Sequence, residues 1–526
     1  MNYGALLSSL ALDVQSAAAA AALPPAPLTL GHAGLTEQRT SSVLLPGVTL
    51  TSITRGQLSA VAPWSVTLAA VATPAAAEKL LTDLKTAGFE ARLDPMQVQG
   101  VFPDALGYMV RVGQFSSRVQ ADAAQVALKA KGFGGDVQNV LEDGGPSTGP
   151  WVIQVVTVQP NAQAVVKVAI ASDVLPGRET TSALARRLGA VAAINGGYFV
   201  IDDAGGTEGV PAGISVKAGQ VIRETVNGRP GFFIDSGNLK ASVIQGLTST
   251  ITLDIDGQTH TVTGLNRKPG ILQNCGNPVA MPTTLPVQDY ACHSANELIQ
   301  FNAAFGPTSD AGEGYEVSVD ATGTVIAGQP RCGAPIPVGG YTLQGIGTDA
   351  EWLQRLKIGT RVRVVNSLKD ARGHEIPLMP STYAVNGGPT LVIGSNAVDD
   401  YRSEGWSPQA LAGDDVAEKD AATSGNARLS FFNDWLLRRN PRTAVGIMKD
   451  GTLLFVTVDG RNPTHSVGAS IPELTTLMLN LGAVDAMNLD GGGSTATYVN
   501  GQLQGVPSDA TGERPDGDAI VILPKP

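Results

Sequence analysis

The chain has 526 residues, too many for one ordinary domain, so two or three are expected. With 47 acidic against 36 basic residues the net charge is −11, which argues against a nucleic-acid or anionic-membrane partner and leaves room for a locally basic pocket. Hydrophobic residues make up 43%, and 62 glycines with 33 prolines point to a strand- and turn-rich globular protein. No apolar run reaches the roughly 18 residues of a membrane span, so none is expected.

Residues 1–40 are alanine-rich and proline-containing, without a sustained hydrophobic period, as expected of a disordered or leader-like tail. The alanines before Leu23-Pro-Pro resemble a cleavage region, yet no Lys or Arg precedes Arg39. An export leader would therefore be truncated or atypical, and the location is read as secreted or cell-envelope. Residues 43–54 read as a strand pair broken at Pro46-Gly47.

From Trp64 a pattern recurs 44 residues later: Trp64-Ser-Val-Thr-Leu68 corresponds to Tyr108-Met-Val-Arg-Val112, and Leu84, Lys85, Gly88 and Phe89 to Leu128, Lys129, Gly132 and Phe133. Each unit predicts an alternating strand, an amphipathic helix (75–87 and 119–131), a Gly-Phe stop and a second strand. Two such units make a ferredoxin-like β-α-β-β-α-β domain over 63–142. The pattern resembles SPOR domains, which implies peptidoglycan as a partner. A Gly/Pro/Ser linker over 143–150 leads to a large α+β, β-rich domain over 151–526. Within it, helices are expected over 181–188 and 472–481, and a hairpin turn at Ile255-Asp256-Gly257. The stretch 205–375 reads as a β-rich insertion. The three cysteines, Cys275, Cys292 and Cys332, have no zinc spacing. Cys275 and Cys292 bracket a proline-containing loop fit for a disulfide, with three buried thiols as the alternative.

Three stretches share a layout of apolar strand, Asn, then glycines: Asn195-Gly196-Gly197, Asn386-Gly387-Gly388, and Asn488-Leu-Asp490-Gly491-Gly492-Gly493-Ser494. Residues two apart on a strand share a face, so Asn488 and Asp490 are expected to point the same way. Glycines permit positive φ and expose N–H groups that can close around an anion. Singly each is a tight turn; together they predict a shared pocket rim. Arg442 starts a strand whose hairpin partner ends at Asp459-Gly460-Arg461, and an Arg fork suits a phosphate or carboxylate. An Asp459–Arg461 pair fixing its own turn is the alternative. Ser470-Ile-Pro-Glu473 is a capping-box pattern, so Glu473 is a cap first and a site candidate second. His465 reads as solvated, and Asp509 and Arg514 could complete the pocket.

Taken in order, Arg442-Thr-Ala-Val-Gly, Val458-Asp-Gly-Arg461, the Glu473 helix, Asn488 to Ser494 and Pro507-Ser-Asp509 resemble the phosphodiester glycosidase family. Asn195-Gly-Gly-Tyr-Phe199 is similar to that family's Asn-(Gly/Ala)-Gly-Phe-Phe segment. The resemblance is strong over 436–524, fair over 150–200 and 383–391, and weak or absent over 205–375. Gly505 stands where many relatives carry Asn, and Tyr198 where Phe is common. The resemblance implies hydrolysis of a glycosyl-1-phosphodiester of the GlcNAc type. Asp490 and Asp459, then Glu473, are the catalytic candidates. Arg442, Arg461 and the N–H groups of 491–493 are the expected phosphate binders. Aspartate-rich turns offer oxygen ligands suited to Ca²⁺ or Mg²⁺, although no loop signature marks such a site. The rival is a non-catalytic cell-wall glycan-binding protein; a third reading is a structural β protein whose glycines serve only turns.

Overall fold

The computed structural model describes residues 23–58, 63–96, 106–226, 228–273, 291–406 and 429–526. The architecture is β-rich α+β. Its centre is an eight-stranded sheet in which Trp151–Val158, Leu453–Val458, Arg442–Met448 and Ala483–Asn488 are successive antiparallel neighbours. These strands read as nearly unbroken apolar runs because both faces are covered. Along Leu453–Val458, alternate residues Leu454, Val456 and Val458 enter one core, and Leu453 and Phe455 enter the other. The first core is closed by the helix Ile471–Asn480 and the segment around Leu429, Phe432 and Leu436. The second is closed by two five-stranded sheets, one through Ala192–Asn195 and Asp518–Pro524, the other through Gly231–Asp235 and Thr382–Asn386. Each of the three Asn-Gly strands thus belongs to a different sheet, and all three meet over one core.

The repeat domain forms its own four-stranded sheet in the order Ala91–Pro95, Tyr108–Phe115, Trp64–Val71, Asp136–Asn139. Its helices Pro74–Thr86 and Arg118–Lys129 are capped by Thr73 and Ser117, whose hydroxyls accept from the N–H three residues on. The repeated leucines, Leu84 and Leu128, are fully buried, and the repeated phenylalanines meet edge to face with ring centroids 6.2 Å apart. The segment after it is a packed seam. Glu142, Ser147, Gly149 and Pro150 are buried, and Asp143 pairs with Arg111 across the junction at 2.5 Å.

Two expectations need correction. The N-terminal tail was expected to extend to residue 40, but Leu28 and Leu30 are buried and the strand Glu37–Leu45 begins inside it. Two leucines and the Arg55 guanidinium, which donates to the Leu30 carbonyl at 2.8 Å, hold what composition alone read as a tail; residues 1–22 lie outside the described residues. The insertion was expected to start near 205. Ser215–Lys217 and Gly231–Asp235 instead pair with Thr382–Asn386 in a central sheet, and the separately cored β body comprises strands from Thr248–Ile255 to Arg363–Lys369. The hairpin at Asp256-Gly257 forms with both residues at positive φ, 52° and 80°. Cys292 is buried and disulfide-bonded, whereas Cys275 lies outside the described residues.

Candidate active site

The strand Ala483–Asn488 delivers Leu489 and Asp490 to the glycine turn 491–493. Asp490 is 9% exposed; its Oδ1 accepts from the Gly491 N–H at 2.8 Å and its Oδ2 from the Ser494 hydroxyl at 2.9 Å. Burial pushes its carboxyl up to about 6, against the lowering effect of those hydrogen bonds and of the Arg514 and Arg229 charges. Two of the three N–H groups of the expected glycine cradle are already spent. Gly491 donates to Asp490, and Gly492, at φ 62°, donates to the Pro441 carbonyl at 2.9 Å.

Two further acids stand beside it that the sequence reading passed over. Asp516 and Asp518 are each 3% exposed. The Gly197 N–H donates to Asp518 Oδ1 at 2.9 Å, while the other Asp518 oxygen has no hydrogen-bond partner among the described residues and Asp516 faces the Ser494 hydroxyl. Burial, with the Asp490 charge added, raises Asp518 to about 7 and Asp516 well above the usual carboxylate range. The signal was present as Asp516-Gly-Asp518, an alternation that puts both carboxylates on one side as the chain enters its last strand. It is too short to separate from an ordinary turn. Gly196 is explained by the same acid, since a Cβ there would lie 2.0 Å from Asp518 Oδ1.

The asparagines predicted to form a rim form instead the frame beneath it. Asn195 is completely buried; its amide donates to the Asp490 carbonyl at 2.9 Å, and its oxygen accepts from the Thr443 hydroxyl at 2.6 Å and the Ala496 N–H at 3.2 Å. Asn386 donates to the Tyr198 carbonyl at 3.1 Å. Asn488 donates to the Tyr198 hydroxyl at 3.0 Å and the Gly388 carbonyl at 2.8 Å. Gly387 has no room for a side chain, because a Cβ would sit 2.4 Å from the Asn488 carbonyl. Arg229 lies over the Tyr198 ring at 4.5 Å from its centroid, bringing a buried cation to this wall.

The remaining candidates divide by what they touch. Arg461, at an unusual φ of 57°, donates to Asn440 Oδ1 at 3.1 Å and places its guanidinium 3.1–3.4 Å from a Cβ built on Gly492. Arg514 pairs with Asp509 at 2.8 Å, and both side chains press on Gly493, where a Cβ would lie 2.2 Å from each. Arg442 is buried and spends its hydrogen bonds on the carbonyls of Ala469, Trp435 and Arg438; burial brings its guanidinium down to about 10. No ion pair joins Asp459 to Arg461 among the described residues. Asp459 accepts from His465 at 2.7 Å and from the Val506 N–H at 3.0 Å, and burial raises its carboxyl. His465, read as solvated, is thus engaged. Gly505 gives Asp459 room, since a Cβ there would fall 2.4 Å from Asp459 Oδ1. Glu473 completes the expected capping box with Ser470 and is bound by the buried Arg439 through contacts of 2.6–3.0 Å. That pair belongs to the helix base and ties up both Glu473 oxygens, in line with the capping pattern. Among the described residues no group of three or more His, Cys, Asp or Glu could hold a metal ion.

Residues 313–523 match the phosphodiester glycosidase family model, and 60–137 match the SPOR domain model. Over its tail, the chain is similar to the phosphodiester glycosidase family. It is 40% identical over 78 residues to N-acetylglucosamine-1-phosphodiester alpha-N-acetylglucosaminidase of Bos taurus, covering 15% of this chain and 14% of that one. It is 34% identical over 128 residues to the SPbeta prophage-derived protein YomE of Bacillus subtilis, 21% of this chain and 20% of the other. The matches thus span a fifth or less of the length of these curated relatives. A crystal structure of a Burkholderia pseudomallei protein assigned as exported aligns over 96% of this chain and 99% of its own, with TM-score 0.85 and 36% identity. A Synechocystis protein shares the fold at TM-score 0.53 and 18% identity, over 93% of this chain and 79% of its own. The family match begins inside the β body, so the chain keeps family sequence in part of the region where the resemblance is weak or absent. The Asp490 turn, Asp516 and Asp518 all fall within the matched span.

Proposed function

We propose that this protein hydrolyses a glycosyl-1-phosphodiester of the GlcNAc type, releasing the free sugar and leaving a phosphomonoester. The observation that carries the reading is the cluster of Asp490, Asp516 and Asp518 under the family's glycine turn, with Arg514 and Arg461 on its outer side. Three ionised carboxylates would repel an anionic phosphodiester. Burial holds Asp518 up to about 7 and Asp516 well above the usual carboxylate range, so near neutrality Asp490, at about 6, carries most of the cluster's charge.

Ionised Asp490 takes a proton from water as the water oxygen attacks the anomeric carbon. The bond from that carbon to the phosphate oxygen breaks, and its electron pair leaves with the phosphate. Phosphate is a good leaving group, so cationic stabilisation by Arg461 and Arg514 serves in place of a strong general acid. Neutral Asp516 and Asp518 donate hydrogen bonds without adding charge. Asp459 orients His465 and the 505–506 turn.

The repeat domain, whose strand order supports the ferredoxin-like reading, would bind peptidoglycan and keep the enzyme at cell-wall glycans. An extracytoplasmic location is supported by the SPOR match, by the exported assignment of the Burkholderia relative and by the disulfide at Cys292. No helix among the described residues is long and apolar enough to cross a membrane. The test is release of free GlcNAc from GlcNAc-α-1-phosphomethyl by the full chain, with Asp490→Asn as control. Absence of release by the wild type on this and on longer phosphodiesters would sink the reaction.

A further inference from the structure

A cleft of about 340 Å³ separates the repeat domain from the glycosidase body. Trp64 and Arg118 line it from the repeat side; Arg438, Arg461, Ser508 and Asp509 line it from the body. Its inner wall is shared with the aspartate site, because Arg461 and Asp509 are the side chains that press on Gly492 and Gly493. Its outer wall presents a cation over an aromatic ring, with the Arg118 guanidinium above Trp64 at 5.7 Å from the ring centroid. The Ser508 hydroxyl is buried there without a partner among the described residues. The two walls are fixed relative to each other. Arg438 pairs with Glu142 at 2.5 Å, and Arg439 donates to the Leu141 carbonyl at 2.7 Å. The Ser430 hydroxyl accepts from the Ala70 N–H at 3.1 Å.

We infer that this cleft binds the glycan on the phosphate side of the scissile bond, so that the repeat domain supplies part of the substrate site. The inference rests on the proposed reaction. A sugar ring has an apolar face to lay on Trp64, and its hydroxyls suit the unpartnered Ser508. Arg118 and Arg461 suit a phosphate or carboxylate carried by that glycan. Arg118 can turn from the Trp64 ring to this role, since its side chain is 60% exposed and its contact with Asp122 is a long 3.8 Å.

The experiment uses the full chain with Trp64→Ala and, as the exposed and structurally mild variant, Arg118→Ala. Two turnover probes differ only in the phosphate-side group, one methyl and one a disaccharide, and calorimetry follows binding of the disaccharide phosphate product. Each variant is expected to raise KM for the disaccharide probe and weaken product binding by about tenfold, with the methyl probe changed less than about twofold. Wild-type KM and binding in both variants would overturn the subsite even if turnover is intact. Absence of product binding by the wild type would overturn it too. Turnover absent from the wild type while product binding is lost in the variants would remove the reaction and leave the cleft as a glycan site.

Discussion

The side-chain amide of Asn195 donates to the backbone carbonyl of Asp490 at 2.9 Å, joining segments 295 residues apart. The same side chain also receives Thr443 and Ala496, so one buried amide ties the strands Ala192–Asn195 and Arg442–Met448 to the turn that holds Asp490. Asn195→Ala leaves these groups unpaired in a dry site. Stability should fall by about 3 kcal/mol in urea denaturation, and kcat should fall more than KM changes, because Asp490 loses its position while the cationic wall stays.

Asp490→Asn separates chemistry from stability. Removing the proposed base should lower sugar release by about a hundredfold or more. The stability effect has the opposite sign. An acid whose folded pKa lies above its unfolded value holds its proton more tightly when folded. The native state is thus favoured below the unfolded value, and this stabilisation is lost as pH rises from about 4 through about 6. Asparagine does not titrate, so the variant should be more stable than wild type by up to about 3 kcal/mol at pH 8, with little difference at pH 4, in melts across that range. A variant less stable at pH 8 would mean that the lost charge-assisted contacts to Gly491 and Ser494 outweigh the relieved burial.

The cluster should also shape the rate profile. Release of sugar should rise as Asp490 ionises near 6 and decline as Asp518 loses its proton near 7, giving a narrow bell. Asp518→Asn should remove the alkaline limb and leave the acid limb in place. An unchanged alkaline limb would assign it to another group.

Much of this was legible in the sequence where a pattern is local. The 44-residue repeat, the Ser470–Glu473 cap and the glycine turn after Asn488 each carry their reason within a few residues. What was not legible is which local groups meet. Asp459 and Arg461, two apart on one turn, point to His465 and Asn440 rather than to each other. Asp518 can sit beside Asp490 because Gly196 and Gly197, more than 300 residues away in sequence, leave space and an N–H for it. The interior asparagines looked like rim residues because spacing reports the strand face but not which sheet closes over it.

Glu473 was a catalytic candidate by position, and its contacts predict a different phenotype. Glu473→Gln leaves the buried Arg439 charge without its carboxylate. The cost should be about 3–5 kcal/mol in denaturant, with activity per folded molecule retained. Activity lost from fully folded protein would restore Glu473 to the reaction.

Gly493→Ala probes the joint between the cationic wall and the glycine turn. Gly493 has no positive φ among the strained positions, so alanine is allowed by the backbone and the effect is steric. The added methyl would lie 2.2 Å from both the Arg514 guanidinium and the Asp509 carboxylate, inside any real contact distance. Their 2.8 Å pair must open or shift. Because that pair is about a quarter exposed, the stability loss should stay near 1–3 kcal/mol, as for an overpacked site. The kinetic loss should be larger and should fall mainly on phosphate recognition, seen as a raised KM for the methyl phosphodiester. A double variant, Gly493→Ala with Asp509→Ala, gives the methyl room on the carboxylate side and should recover part of that loss. Recovery shows that the clash with the pair, and not the turn's backbone, sets the effect; absence of recovery places the glycine's role in the turn itself.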